Sequence, residues 1–158
     1  MEKEEPITSK SLENTAQIAG VFVENLFTTL WKNRGEAMVI QLEGNLGSGK
    51  TTFVKAVAKS LGILGIITSP TFVLEKIYKI PPKNQKETGF QQLIHLDAYR
   101  LGDKDDLNSI GWKEILKDPK NLIFVEWPER ISGAFPNNSL KISFRFIDEE
   151  TRVITFYS

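Results

Sequence analysis

"AMVIQLEGNLGSGKTTF", Ala37 to Phe53, is the stretch whose reading decides the fold. Ala37 to Leu42 is a nearly continuous apolar run, the pattern of a strand buried on both faces. Gly44, Gly49, Lys50 and Thr51 then meet the phosphate-loop spacing G-x-x-x-x-G-K-[ST]. A helical segment follows from about Lys50 to Leu61 and stops at Gly62. Strand, glycine turn and helix in that order are the context in which this spacing marks a phosphate site. A polyphosphate needs many donors aimed at one place. A glycine-rich turn makes successive N–H groups converge, and a helix N-terminus adds partial positive charge. The expected nucleotide contacts are therefore Asn45, Leu46, Gly47, Ser48, Gly49, Lys50, Thr51 and Thr52. Lys50 is placed to reach the β- and γ-phosphates, and the Thr51 hydroxyl to ligate Mg²⁺.

The rest of the chain is read outward from this unit. Residues 1–8 read as a flexible tail and 9–158 as one domain. From about Ser9 to Asn33 an apolar stripe of Leu12, Ala16, Ala19, Val23, Leu26 and Leu30 predicts a helix. "FVLEKIYKI" and "FQQLIHLDAY" read as strands about a loop, "PPKNQKETG". "GDKDDLNSIGWKEILKD" predicts one or two short helices broken at Gly111. "NLIFVEW" is a second buried strand, ending in the acid Glu126. "SLKISFRFI" and "TRVITFYS" alternate about the turn "DEE", a closing hairpin. Buried strands interleaved with helices give an α/β fold: a single P-loop NTPase domain with a central mixed, partly parallel sheet flanked by helices.

Composition excludes several other classes. Twenty basic residues balance twenty acidic ones, so no net field attracts DNA or an anionic membrane. The chain has no Cys, which rules out disulfides and Cys-ligated metals and suits a cytoplasmic protein. No apolar run approaches the ~20 residues of a membrane helix, and "MEKEEPITSK" lacks the apolar core of a secretory signal.

Four further positions carry chemistry. Glu126 stands at the C-terminal end of a buried strand, where open α/β sheets place ligands. A carboxylate there can hold Mg²⁺ or orient water for attack on a γ-phosphate. Asp97, in "HLDAYR", reads equally as a second metal-side carboxylate or as a hydrogen-bonded acid at a strand end. His95 shares its face at a two-residue step. As the chain's one histidine it cannot build a multi-His metal site, and it reads as a structural imidazole. Ser69 and Thr71, in "TSPTF", occupy the place of a hydroxyl-bearing switch segment, although the pattern alone fits an ordinary turn better. Trp112 and Trp127 read as core or edge packing.

"GNLGSGKTTF", "SPTF", "HLDAYRL" and "EWPER", in that order, resemble the TsaE (YjeE) family, the small bacterial P-loop ATPases of tRNA threonylcarbamoyladenosine synthesis. The resemblance covers about Leu12 to Tyr157, and it rests on the four motifs in series rather than on the phosphate loop alone. It implies ATP and Mg²⁺ as ligands, with catalytic roles for Lys50, Asp97 and Glu126. Thr51, Asp97 and Glu126 would lie at the metal, Trp127 beside the nucleotide, and Ser69–Thr71 in a switch-like loop. It also implies TsaD and TsaB as partners, with tRNA engaged only through their complex. The chain departs from the family pattern at Asn45, where Asp is usual, which removes one negative charge near the phosphates; Ser48 replaces a common Ala, and "PPKNQKETG" looks long.

The alternatives are a small-molecule kinase or a nucleotide-dependent switch of another pathway. A kinase needs an acceptor lid, commonly Arg-rich, to exclude water, and no stretch here has that length or charge. A GTPase typically carries [NT]-K-x-D after an apolar strand. The nearest string, "DKDD" at Asp103–Asp106, lacks the first residue and follows no such strand.

Overall fold

The structure, a computed structural model, describes residues 4–26, 35–65, 75–102 and 104–157. Its frame is a seven-stranded sheet in the order β1-β7-β6-β2-β5-β4-β3. The strands are β1 Glu4–Ser9, β2 Met38–Glu43, β3 Glu75–Lys79, β4 Gln92–Asp97, β5 Asn121–Glu126, β6 Leu140–Phe146 and β7 Arg152–Tyr157. The inner strands β6, β2, β5 and β4 run parallel, while β3 pairs antiparallel with β4, and β7 with β6 and β1. The sheet is mixed and partly parallel, as expected. The two apolar runs are its middle: every residue of β5 is buried, as are four of the six in β2.

Helices cover both faces. Helices α1, Leu12–Asn25, and α2, Lys50–Ser60, pack over one face. Ile18, Phe22, Phe53 and Val57 there meet Ile40, Leu42, Leu122 and Phe124 of the sheet. On the other face a 3-10 helix, Lys104–Ile110, α4, Trp112–Lys117, and a second 3-10 helix, Pro128–Ile131, cover Val39, Ile94, Leu96, Ile123 and Val125 with Leu107, Trp112 and Ile131. Gly111, at φ 69°, makes the break between these two helices that the sequence predicts. Trp112 is a packing residue whose indole N–H donates to the Ala134 carbonyl at 3.0 Å.

Three expectations are corrected. Residues 4–8, read as tail, belong to strand β1, which pairs with β7 along its whole length from Glu4↔Tyr157 to Ser9↔Arg152. An exposed edge strand with Pro6 and two Glu lacks an apolar signal, and only its distant partner makes it a strand. "PPKNQKETG" is not a loop but holds α3, Pro82–Thr88. Pro82 occupies the first helical turn, where its missing N–H costs nothing, and Gly89 closes the helix in the left-handed conformation. In α1 the buried stripe is Thr15, Ile18, Ala19, Phe22 and Val23, while Leu12 and Ala16 are exposed. The aromatic ring of Phe22 decides the rotation: it lies 5.6 Å from the centroids of both Phe53 and Phe156. The expected continuation of this helix over 27–33, and Ser69 and Thr71, lie outside the described residues.

Gly44 is where β2 leaves the sheet. Its φ is +148°, and a Cβ there would stand 2.7 Å from the Phe144 carbonyl oxygen of β6 and 2.6 Å from Ser48 Oγ. Because one of the two close obstacles is backbone, Gly44→Ala is expected to cost about 1–3 kcal/mol and to lower Tm by several degrees. Gly47→Ala, with open space around the added methyl, should lose less in the same calorimetric comparison.

Candidate functional site

Parallel pairing brings three chain segments to one corner of the sheet. Leu42 of β2 is opposite Glu126 of β5, and Glu126 is opposite Asp97 of β4. The glycine loop therefore opens beside two strand-end carboxylates, with α2 starting over them. Asn45, Leu46 and Gly47 form its exposed tip. Gly47 and Gly49 adopt φ of 75° and 108°, and Gly49 caps α2 without any side-chain bond. The first N–H groups of α2 thus point into the loop.

Two side chains at the start of α2 point to the strand ends. Thr51 Oγ1 donates to Glu126 Oε1 at 2.8 Å. Lys50 is 5% exposed, and its ammonium donates to the Gly44 carbonyl and lies 3.8 Å from the Trp127 ring centroid. Among the described residues it makes no ion pair with a carboxylate. Burial lowers its pKa, against the pull of the Glu126, Glu129 and Asp97 charges. A buried cation held by a carbonyl and a ring, with no counter-ion in contact, fits an anionic polyphosphate.

Glu126, 4% exposed, is raised by burial, but hydrogen bonds from His95 and Thr51 and nearby positive charge more than offset this. The net result is a carboxyl held below its usual range. Asp97 goes the other way. Burial pushes it up, a backbone bond from Tyr99 at 2.9 Å opposes this, and the Glu126 charge adds to the rise. Thr51, Glu126 and Asp97 offer hard oxygen donors. Among the described residues no group of three or more His, Cys, Asp or Glu could hold a metal by itself. That donor set fits Mg²⁺, which binds through one or two carboxylates together with substrate phosphates.

Trp127 follows Glu126 at φ 58°, the one positive φ outside glycine among the described residues. Such a conformation costs of order 1–3 kcal/mol for a bulky residue and clusters at functional sites. It turns the indole under Lys50. The Tyr99 ring packs against the indole at 5.3 Å, and the Arg130 guanidinium caps Tyr99 at 4.8 Å. The packing role read for Trp127 from its residue type is therefore only part of the picture.

The sequence reading missed two contacts. His95 is fully buried and its Nε2 lies 2.8 Å from Glu126 Oε1. The signal was the shared strand face with Asp97; the missing piece was the neighbouring strand's register. Arg152, at the start of β7, reaches the loop from the other flank, with Nη2 3.4 Å from the Gly47 carbonyl and the guanidinium over Phe146. Arg152, Thr52, Gly49, Ser11 and Glu13 line a groove of about 410 Å³ on this flank.

Comparison with known proteins gives the same architecture a family. The model of the TsaE family, "Threonylcarbamoyl adenosine biosynthesis protein TsaE", matches residues 9–154. A Treponema pallidum protein named tRNA threonylcarbamoyladenosine biosynthesis protein TsaE is 38% identical over 76% of this chain and 82% of its own length. The Bacillus subtilis protein of that name is 36% identical over 75% of this chain and 68% of its own. The crystal structure of YdiB from Bacillus subtilis superposes with a TM-score of 0.74 at 28% identity, covering 100% of this chain and 87% of that one. The family match takes in the glycine loop and both carboxylate-bearing strands, and the chain belongs to the TsaE family.

Proposed function

We propose that the chain binds ATP with Mg²⁺ in this corner of the sheet and hydrolyses it. In doing so it supports formation of N6-threonylcarbamoyladenosine at position 37 of tRNA. The partners in this reading are TsaD and TsaB, and tRNA is reached only through their complex. The observation that carries the reading is the 2.8 Å contact of Thr51 Oγ1 with Glu126 Oε1. It joins the hydroxyl of the phosphate loop to a strand-end carboxylate, the two oxygen types that a nucleotide-bound Mg²⁺ takes from protein. The names of the family's members support the pathway.

Each residue then has a stated task. The N–H groups from Asn45 to Thr52 cradle the phosphates, and Lys50 exchanges the Gly44 carbonyl for phosphate oxygens. Thr51, Glu126 and Asp97 hold the metal side, where Mg²⁺ supplies charge neutralisation on the phosphates. The depressed Glu126 carboxyl is ionised at neutral pH and able to orient an attacking water. Trp127 borders the phosphates, and the groove lined by Thr52 and Arg152 receives the nucleoside. The reaction is attack of water on the γ-phosphorus with cleavage of the bond to the β-phosphate oxygen, giving ADP and phosphate. Asn45 leaves one less negative charge beside that site than Asp would. The switch role of Ser69 and Thr71 stays a proposal from the motif. No helix among the described residues is long and apolar enough to cross a membrane. A cytoplasmic location is part of the proposal, as tRNA modification requires.

Lys50→Ala is expected to abolish ATP binding by calorimetric titration; wild-type affinity and turnover in that variant would sink the assignment. Glu126→Ala should lose hydrolysis by about 10²-fold or more while nucleotide affinity changes by less than tenfold. Equal loss of both would make Glu126 a binding or folding residue instead. Hydrolysis by the isolated chain should be slow and rise when TsaD and TsaB are added, and multiple-turnover tRNA modification from purified components should require this chain. An unchanged rate and unaided turnover would count against the partnership.

A further inference from the structure

The contact that the proposed function leaves unused is His95. It is 0% exposed, on a strand face whose preceding inward position is Leu93. Its Nε2 meets Glu126 Oε1 at 2.8 Å, while Nδ1 is buried with no hydrogen-bond partner among the described residues. A residue present only to fill this space would do so at lower cost as Leu, because a buried polar atom left unpaired is unfavourable. What the imidazole gains is the carboxylate.

The geometry of that carboxylate shows what the gain does. Oε1 accepts from two donors, Thr51 Oγ1 and His95 Nε2, and Oε2 accepts from none among the described residues. One oxygen is saturated by protein and the other is left for chemistry. The two donors are not equivalent. Thr51 begins α2 in the phosphate loop and is the hydroxyl assigned to the metal side, so its bond to Glu126 is the one a bound nucleotide competes for. His95 sits in mid-sheet on β4, paired to β5 by the register His95↔Phe124 and Asp97↔Glu126. It faces no phosphate and has nothing to release. Lys50 lies close enough for the Glu126 charge to act on it, so an untethered carboxylate has an alternative partner beside the loop.

We propose that His95 is a positioning residue for Glu126. It donates from Nε2 to Oε1, fixes the carboxylate's rotation, and keeps Oε2 directed outward whether or not Thr51 remains bonded. It touches neither nucleotide nor water. This inference rests on the hydrolytic reading of Glu126, but its structural half, an Nε2–H bonded to Glu126, stands apart from that reading.

The test has two arms. In the kinetic arm, His95→Leu keeps the volume and removes the donor, and His95→Gln offers an amide N–H near the place of Nε2. His95→Leu should lower kcat by about tenfold to a hundredfold, the range for losing a residue that orients a metal-side ligand, with the KM for ATP within about threefold of wild type. His95→Gln should recover most of the kcat. Wild-type kcat in His95→Leu overturns the proposal, as does a Gln variant no better than Leu. The second arm needs no activity and survives a Leu variant that does not fold. The chain has one histidine, so a long-range ¹H–¹⁵N spectrum of the nucleotide-free protein reports its ring directly. The wild type should show the proton on Nε2, and Glu126→Ala should shift that resonance and change the tautomer balance. A proton resident on Nδ1 alone, or a spectrum indifferent to Glu126→Ala, overturns the proposal. If the wild type hydrolyses no ATP but the spectrum behaves as expected, the hydrolytic reading fails while the His95–Glu126 bond stands.

Discussion

The site depends on one register. Parallel pairing puts Leu42 opposite Glu126 and Glu126 opposite Asp97, so three strands end together at one edge of the sheet. A slip of one residue in β5 would turn Glu126 to the other face and bury an apolar side chain in its place. The apolar residues of β5 prevent that slip because both faces are covered: Leu122 and Phe124 enter the core under α1 and α2, Ile123 and Val125 the core under α4. The two cores thus hold the carboxylate in position by making every alternative alignment lose its packing.

Within that frame the ionisable groups are pulled in different directions. Burial lowers Lys50 and raises Asp97, and Glu126 ends below its usual range because two donors and local positive charge outweigh its own burial. The site is internally satisfied to different degrees. Glu126 has its donors on Oε1, while Lys50 has only a carbonyl and the face of Trp127. The cation side of the site is therefore less well served than the acid side. The left-handed Trp127 is the backbone feature that makes this arrangement, since it turns the chain directly after Glu126 and sets the indole face under the Lys50 ammonium.

How far the sequence could be read varied with the range of the forces involved. The strand, turn and helix from Ala37 to Leu61 were legible because apolar runs and glycine spacing are local signals. Strand β1 was not, because six mostly exposed residues with a proline become a strand only through β7, which lies at the far end of the chain. Helix α3 is hidden by its two prolines, which mark a loop by pattern, although Pro82 stands in the one turn of a helix that tolerates it. The stripe on α1 differs from the expected one because two apolar registers coexist on the helix, and the packing of Phe22 against Phe53 and Phe156 selects between them.

The sequence by itself determined the fold class, the glycine loop between strand and helix, and the placing of Asp97 and Glu126 at strand ends, since each is written in contiguous residues. Only the tertiary structure decided which groups face one another. His95 and Glu126 are 31 residues apart and Thr51 and Glu126 are 75 apart, yet all three meet at one oxygen. Gly47 and Arg152 are separated by 105. No local pattern encodes such pairs. They follow from strand order and register, which are settled by burying two apolar faces at once, a condition the whole chain must satisfy together.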